Sequence, residues 1–489
     1  MPKTYPLKPF PAIARRDFLR YGAASAVGAA AFGASAAPRV AMAAQSTAAG
    51  DPIGTPVGDL FVAGPELALP AGFTYKTFGA FGSGMSDGFI TPPIHDGMGV
   101  FEDGSNIRIV RNHELGEGND VLGGSVVGRP QTAYDRKAPG CTTTLVLDSN
   151  CDLIESYVSL NGTDTNCSGT PTPWNTWLTC EETVIGPLKG DRNEPHGYVF
   201  EVDPFAGESA PAKPLRALGR WVHEAAGVDP DTGVVYMTED WNPDSFYRFV
   251  PREFGDLQHG KIQALKVKGQ PNYVTYEGQT PGVVLEAVWV TIDDPDSPQA
   301  ERNPRYVRQQ ARDKGAATFL SGEGCTMVGN TVVFDNSDGG DAELGQIWQY
   351  TPTTNIGDMD EEGELELLFE STARQVLDGP DNLCTSPAGG IVIAEDGHEK
   401  ASFVRGLRTD GTMVNIAKDL VPIRLSIIDA SGKTYDPYVP DDDFSISDGL
   451  GFSEFAGPRF SPDGQWLFVN IQVPGITCAI TGDWASLGL

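Results

Sequence analysis

In the stretch Trp177-Leu178-Thr179-Cys180-Glu181-Glu182-Thr183, a cysteine stands directly before two glutamates at the end of an apolar run. A soft sulfur and two hard carboxylates at one point in a chain suit a metal centre of mixed character. Thiolate favours a transition ion such as iron, and carboxylates favour calcium. Taken singly, a cysteine in an apolar run is more often buried packing, and adjacent acids more often face water. The metal reading therefore depends on other chemistry-bearing residues being delivered to the same place.

A recurring pattern supplies them. It runs GMGVFEDGSNIRIVRNHE (97–114), SGTPTPWNTWLTCEE (168–182), AAGVDPDTGVVYMTED (225–240), GCTMVGNTVVFDNS (324–337), NLCTSPAGGIVIAEDG (382–397) and GPRFSPDGQWLFVNIQ (457–472). Each segment is an apolar strand, a turn built from Asp, Asn, Pro or Gly, and a second apolar strand ending in acids, amides or histidine. β-Branched and aromatic residues favour strands, and DG, DTG or AGG favours tight hairpins. The spacing between units leaves room for a four-stranded blade with variable outer loops. The expected fold is all-β, a six-bladed β-propeller with a metal site at one mouth of its central channel.

Hairpin strands are antiparallel, so residues before the first strand lie beside those after the second. This places Asp96 near His113 and Glu114, Glu224 near Glu239 and Asp240, and Glu323 near Asp335 and Asn336. It likewise places Asp381 and Asn382 near Glu395 and Asp396. If these strands line the channel, the groups converge on one mouth. Packed carboxylates repel, and cations are the natural relief. Asn336, Ser337, Asp338 and Asp341 resemble a calcium loop but lack the EF-hand spacing.

Composition narrows the class. Residues 1–44 hold Arg15-Arg16-Asp17-Phe18-Leu19, an Ala/Gly-rich stretch and Ala41-Met42-Ala43, the pattern of a twin-arginine signal peptide with a cleavage site. One domain is expected over 45–489. That part carries 29 basic and 65 acidic residues, a net charge of −36, which excludes nucleic acid as a partner and suits calcium. Six histidines argue against a His-built zinc centre. Seven cysteines are an odd number for an exported chain, with Cys141 and either Cys151 or Cys167 as a candidate disulfide. No later segment is long and apolar enough for membrane insertion.

With TPWNTWLTCEE, HEAAGVDP, VYMTED, SGEG, GGDAELGQIW, PDNL and FSPDGQWLFVNIQ followed by PGIT, in order, the chain resembles the PhoX family of bacterial alkaline phosphatases. The resemblance implies hydrolysis of phosphomonoesters at a centre of two ferric irons and about three calcium ions, with a bridging oxo or hydroxo group as nucleophile. It implies Cys180 as the thiolate ligand of iron and Glu224 and Glu323 as carboxylates on the iron pair, these three forming the catalytic set. Glu181, Glu182, Glu239, Asp240, Asp381, Asn382, Glu395 and Asp396 fall to the calcium shell. A small phosphoester substrate, the Tat export machinery, a periplasmic or secreted destination and a monomeric state complete the expectation. One departure stands out: the family's arginine two residues before the SGEG glutamate is here Ser321. Without that guanidinium, a phosphodiesterase, another calcium-dependent hydrolase such as a lactonase or esterase, or a non-catalytic calcium-stabilised binding propeller are the alternatives.

Overall fold

The computed structural model describes residues 53–116, 126–188, 192–397, 402–423, 427–428, 434–435 and 451–489. The signal peptide read over 1–44 lies outside the described residues. The described chain is all-β with two short α-helices, Tyr306–Asp313 and Trp484–Leu487.

Each of the six hairpins forms. Their first strands are His95–Asp103, Asn166–Pro171, His223–Val228, Gly322–Val328, Pro380–Thr385 and Phe455–Phe460. The turns work because their residues tolerate left-handed backbone: Gly104 has φ 63° and Asn175 has φ 64°. These six inner strands touch in a ring, each against the next, and the last against the first. Outer strands extend the hairpins into sheets. One nine-stranded sheet arises where Val284–Thr291 pairs with Glu362–Glu370 and fuses two hairpin units.

The ring is closed by the early part of the chain. Thr74–Phe78 pairs antiparallel with Ile476–Thr481 and completes the last sheet, while Leu67–Leu69 adds to the outer edge at Met413–Asp419. The apolar cores lie between neighbouring sheets. One of them packs Leu178, Cys180, Val199, Trp221, Met237 and Tyr247. Each fully buried large apolar side chain there contributes about 1.5–3 kcal/mol.

One local irregularity recurs in all six hairpins. Between His95↔His113 and Met98↔Arg111, two residues of the inner strand oppose one on its partner. The same two-against-one bulge falls at Cys167-Ser168, Glu224-Ala225, Glu323-Gly324, Asp381-Asn382 and Gly457-Pro458. A bulge breaks the in–out alternation of a strand and re-aims one side chain. In five of the six, the first bulged residue is an acid or cysteine.

A layer of the ring follows directly after the bulges, at Met98, Gly169, Ala226, Cys325, Leu383 and Arg459. The Arg459 guanidinium spans it, donating from Nε to Met98 O at 3.1 Å, from Nη2 to Gly169 O at 3.4 Å and from Nη1 to Leu383 O at 3.5 Å.

Candidate metal centre

The bulged residues Asp96, Cys167, Glu224, Glu323 and Asp381 gather at one end of the ring. With Glu114 and Glu182 they make three interlocking groups: Asp96–Glu114–Cys167, Cys167–Glu182–Glu224 and Glu224–Glu323–Asp381. In each, one ligand atom per residue lies within 4.8 Å of the others. Cys167 joins the first two groups and Glu224 the last two. The Cys167 thiol donates to Glu224 Oε1 at 3.0 Å, with Asp96 Oδ2 at 3.8 Å. Gln472 Nε2 donates to Glu114 Oε2 at 2.8 Å and Asp96 Oδ2 at 3.2 Å, so the last sheet is tied in as well.

The electrostatics follow from crowding. Burial, then the charges of Glu323, Glu182, Asp381 and Asp96, push the Glu224 carboxyl well above its usual range. Glu114 is raised by burial and by Glu182 and Asp96. Glu454 is raised by burial and by Asp396, Asp381, Asp96 and Glu114, and its carbonyl accepts from Gln472 N at 3.1 Å, beside the amide that binds Glu114 and Asp96. Burial and then Asp96, Glu224, Glu182 and Glu114 raise the Cys167 thiol. Sulfur and carboxylate oxygens at these separations fit metal ions: cations would relieve the repulsion, and the single sulfur fits a transition metal among hard ones.

The structure redistributes the residues expected from sequence. Glu182, Glu224, Glu323 and Asp381 are brought together, with Asp396 near them and Asn382 donating to Asp381 Oδ1 at 2.8 Å. Cys180 is not among them. It stands opposite the Cys167–Ser168 bulge, where the strand faces the apolar core, just as Ala394 and Val469 do in their hairpins. Burial alone raises its thiol.

Glu181 also turns away. Its Oε1 lies 2.6 Å from His196 Nδ1 and accepts from Asp164 N at 2.9 Å. Its Oε2 accepts from Gly197 N at 2.8 Å and Tyr198 N at 3.1 Å. Glu239 is held by the Arg308 guanidinium and by the Tyr247 hydroxyl at 3.0 Å. Asp240 sits beside Asp244, whose Oδ2 accepts from Gly322 N at 2.6 Å. Glu395 is bound by Arg405 Nε at 2.7 Å and by two backbone amides. Asp335 is fully buried opposite its bulge, and His113 meets Pro93 O and Thr143 Oγ1, both at 2.9 Å. Ser321 Oγ donates to Asn242 Oδ1 at 2.9 Å and lies 3.0 Å from Asp338 Oδ2. All seven cysteines are buried free thiols, so the anticipated disulfide does not form.

Hairpin geometry brought Asp96 and Glu114 to the mouth without naming them as ligands, and two further members of the cluster, Cys167 and Glu454, went unrecognised in the sequence. Cys167 was hidden because the apolar run before Glu181 drew attention to Cys180. Its signal was position: Asn166-Cys167 begins an inner strand as His223-Glu224 and Gly322-Glu323 do. Glu454 precedes a strand whose bulge carries Gly457, so no acid marks the slot.

Comparison with known proteins agrees with this geometry. The alkaline phosphatase PhoX family matches residues 61–475. Among solved structures, PhoX of Pseudomonas fluorescens in complex with vanadate, a transition state analogue, is similar with a TM-score of 0.59 and 17% identity, over 88% of this chain and 98% of that one. A gluconolactonase from Xanthomonas campestris aligns at a TM-score of 0.36 and 12% identity, over 86% of this chain and 98% of that one, too loosely to bear on the chemistry. No curated protein matches. The inner-strand ring is thus a β-propeller-like scaffold, and the chain belongs to the alkaline phosphatase PhoX family, whose reaction is the hydrolysis of phosphate esters.

Proposed function

We propose that this protein is an exported phosphomonoesterase working through an iron- and calcium-containing centre in the mouth of a six-bladed β-propeller. The observation that carries the reading is the chain of three acid groups joined through Cys167 and Glu224. Six hairpins and a closed ring of inner strands support the blade count. Cys167 is the sulfur available to iron, with Glu224 bridging towards Glu323 and Asp381. Asp96, Glu114, Glu182, Glu454 and Asp396 offer oxygen to calcium, with Asn382 beside them.

Metal ions held there supply charge to neutralise phosphate oxygens and to activate a nucleophile at alkaline pH. The chain's own part is to hold its ligands rigidly. Five of the six bulges each fix one ligand on a strand whose other residues are locked in the ring. The Glu181 carboxylate ties Asp164, at the entry to the Cys167 strand, to the His196 loop, and Glu182 N donates to Thr165 O at 2.9 Å. Residues 1–44 then act as the twin-arginine signal, and 45–489 as one domain that leaves the cytoplasm folded and acts as a monomer. No helix among the described residues is long and apolar enough to cross a membrane.

The test is elemental analysis and turnover of p-nitrophenyl phosphate by protein exported through its own signal. Iron and calcium together with alkaline activity are expected. A protein holding both metals but inert towards phosphomonoesters would overturn the substrate class; one active without iron would overturn the role of Cys167.

A further inference from the structure

The bulges that turn ligands inward also take main-chain groups out of the strand ladder. A buried carbonyl left in that way needs a donor from elsewhere. Three of the ligand-bearing bulges receive one from a side chain on the second strand of the preceding hairpin. Asn470 Nδ2 donates to Asp96 O at 2.6 Å, Asn112 Nδ2 to Cys167 O at 2.8 Å, and Thr238 Oγ1 to Glu323 O. All three donors are buried.

Asn112 is the most committed of them. Its Nδ2 donates also to Ser168 O at 3.0 Å, so one amide group holds the carbonyls of both bulged residues. Both of its N–H groups are thereby used. Its Oδ1 accepts from Trp177 Nε1 at 2.9 Å, which settles which end of the amide faces the bulge. The side chain is thus bonded to both strands of the hairpin that carries Cys167. The approach is close because Gly97, opposite Asn112, has no side chain. A Cβ there would stand 2.7 Å from Ser168 Cα and 3.0 Å from Cys167 O.

We propose that Asn112 is a positioning residue for the metal centre, fixing the main chain at Cys167 so that its thiol is aimed at Glu224 and Asp96 before any ion arrives. The inference rests on Cys167 being a metal ligand, as in the proposed function. Asn112 acts through the backbone of Cys167 and Ser168 and not through the ligand atoms. A ligand already held in place loses less freedom when an ion binds, so the contact governs metal affinity as well as packing.

The test reads sulfur binding directly, without turnover. The full chain, stripped of its own ions by a chelator, is titrated with cobalt(II), whose bond to thiolate gives a near-ultraviolet absorption band; Cys167→Ser is the blank. Asn112→Ala is expected to weaken the affinity read at that band about tenfold or more. Asn112→Thr keeps one hydroxyl donor, as Thr238 does towards Glu323, and gives a smaller loss in the same direction. Cys180→Ala, a void opposite the same bulge, holds the parental affinity and so separates aiming of the thiol from a general loss of stability. Parental affinity in whichever Asn112 variants fold, or an equal loss in Cys180→Ala, overturns the proposal. A parent without the band overturns both this proposal and the ligand role of Cys167. A parent that shows the band and the Asn112 effect, but is inert towards phosphate esters, counts against the proposed function alone.

Discussion

The Cys167 thiol reaches Glu224 Oε1 at 3.0 Å across the seam between two neighbouring inner strands. The contact links the first bulged residues of two separate hairpins, and through it three acid groups become one continuous centre. Cys180, thirteen residues later, makes no such contact and packs with Leu178, Val199 and Met237.

Substitution should separate the two cysteines. Cys167→Ser is expected to lose bound iron and to lower kcat/KM on the order of a hundredfold or more. Cys180→Ala should keep its metals and activity and lose about 1 kcal/mol of stability from the small void. Metal analysis alongside turnover decides it, and the reverse pattern would return the ligand role to Cys180.

Glu224 shows the opposing demands of binding and folding. Its carboxyl is raised by burial and by four neighbouring acids, so above its unfolded pKa the charged form is a liability in the metal-free protein. Glu224→Gln should raise the stability of the metal-free protein at pH 8, on the order of 1–2 kcal/mol, while abolishing phosphatase activity. A metal-free variant that melts below the parent would show that the repulsion is not what limits it.

Calcium removal should act on the same crowding. Ligands that bind only the folded state stabilise it by about 2.7 kcal/mol at a hundred times their Kd. A calcium chelator is therefore expected to lower the melting temperature by several degrees and to stop turnover, with both restored by added calcium. Melting curves that do not respond would remove calcium from the centre.

His196 gives the fold a pH limit. Burial opposes its charge, but Glu181, Asp135 and Asp164 outweigh it and raise its pKa to about 10. Nδ1 is 2.6 Å from Glu181, while Nε2, at 3.6 Å from Asp135, makes an ion pair too long for a hydrogen bond. A folded pKa above the unfolded one means that the stabilisation is complete below about pH 6.5. It then declines as pH rises towards 10, by at most about 1.4 kcal/mol per unit. Denaturation midpoints measured from pH 6 to 10 should fall more steeply in the parent than in His196→Gln; parallel slopes would contradict the pairing.

These particulars show what a sequence discloses. The hairpins were legible because turn chemistry and strand composition are local, as in Asp103-Gly104 and the valine, isoleucine and phenylalanine runs. The acids at strand starts were legible for the same reason, and Glu224, Glu323 and Asp381 are where antiparallel pairing puts them. The bulges were not legible, since an extra residue leaves no mark in composition, and each decides which of two adjacent side chains turns inward. Nor could the chain reveal that Glu239 would be claimed by Arg308, 69 positions away, or Glu181 by His196. Such pairings diverted acids that look, letter by letter, like those at the centre.

The strand at Thr74–Phe78, paired with Ile476–Thr481, fixes when the centre can exist. A partial chain emerging from the ribosome lacks the partner that shuts the circle, so Asp96 and Glu114 wait, unassembled, for Glu454 and Gln472. Assembly of the candidate metal centre thereby waits until the strand Ile476–Thr481 has been made. A loaded centre would thus report that the two distant segments which shut the ring have met.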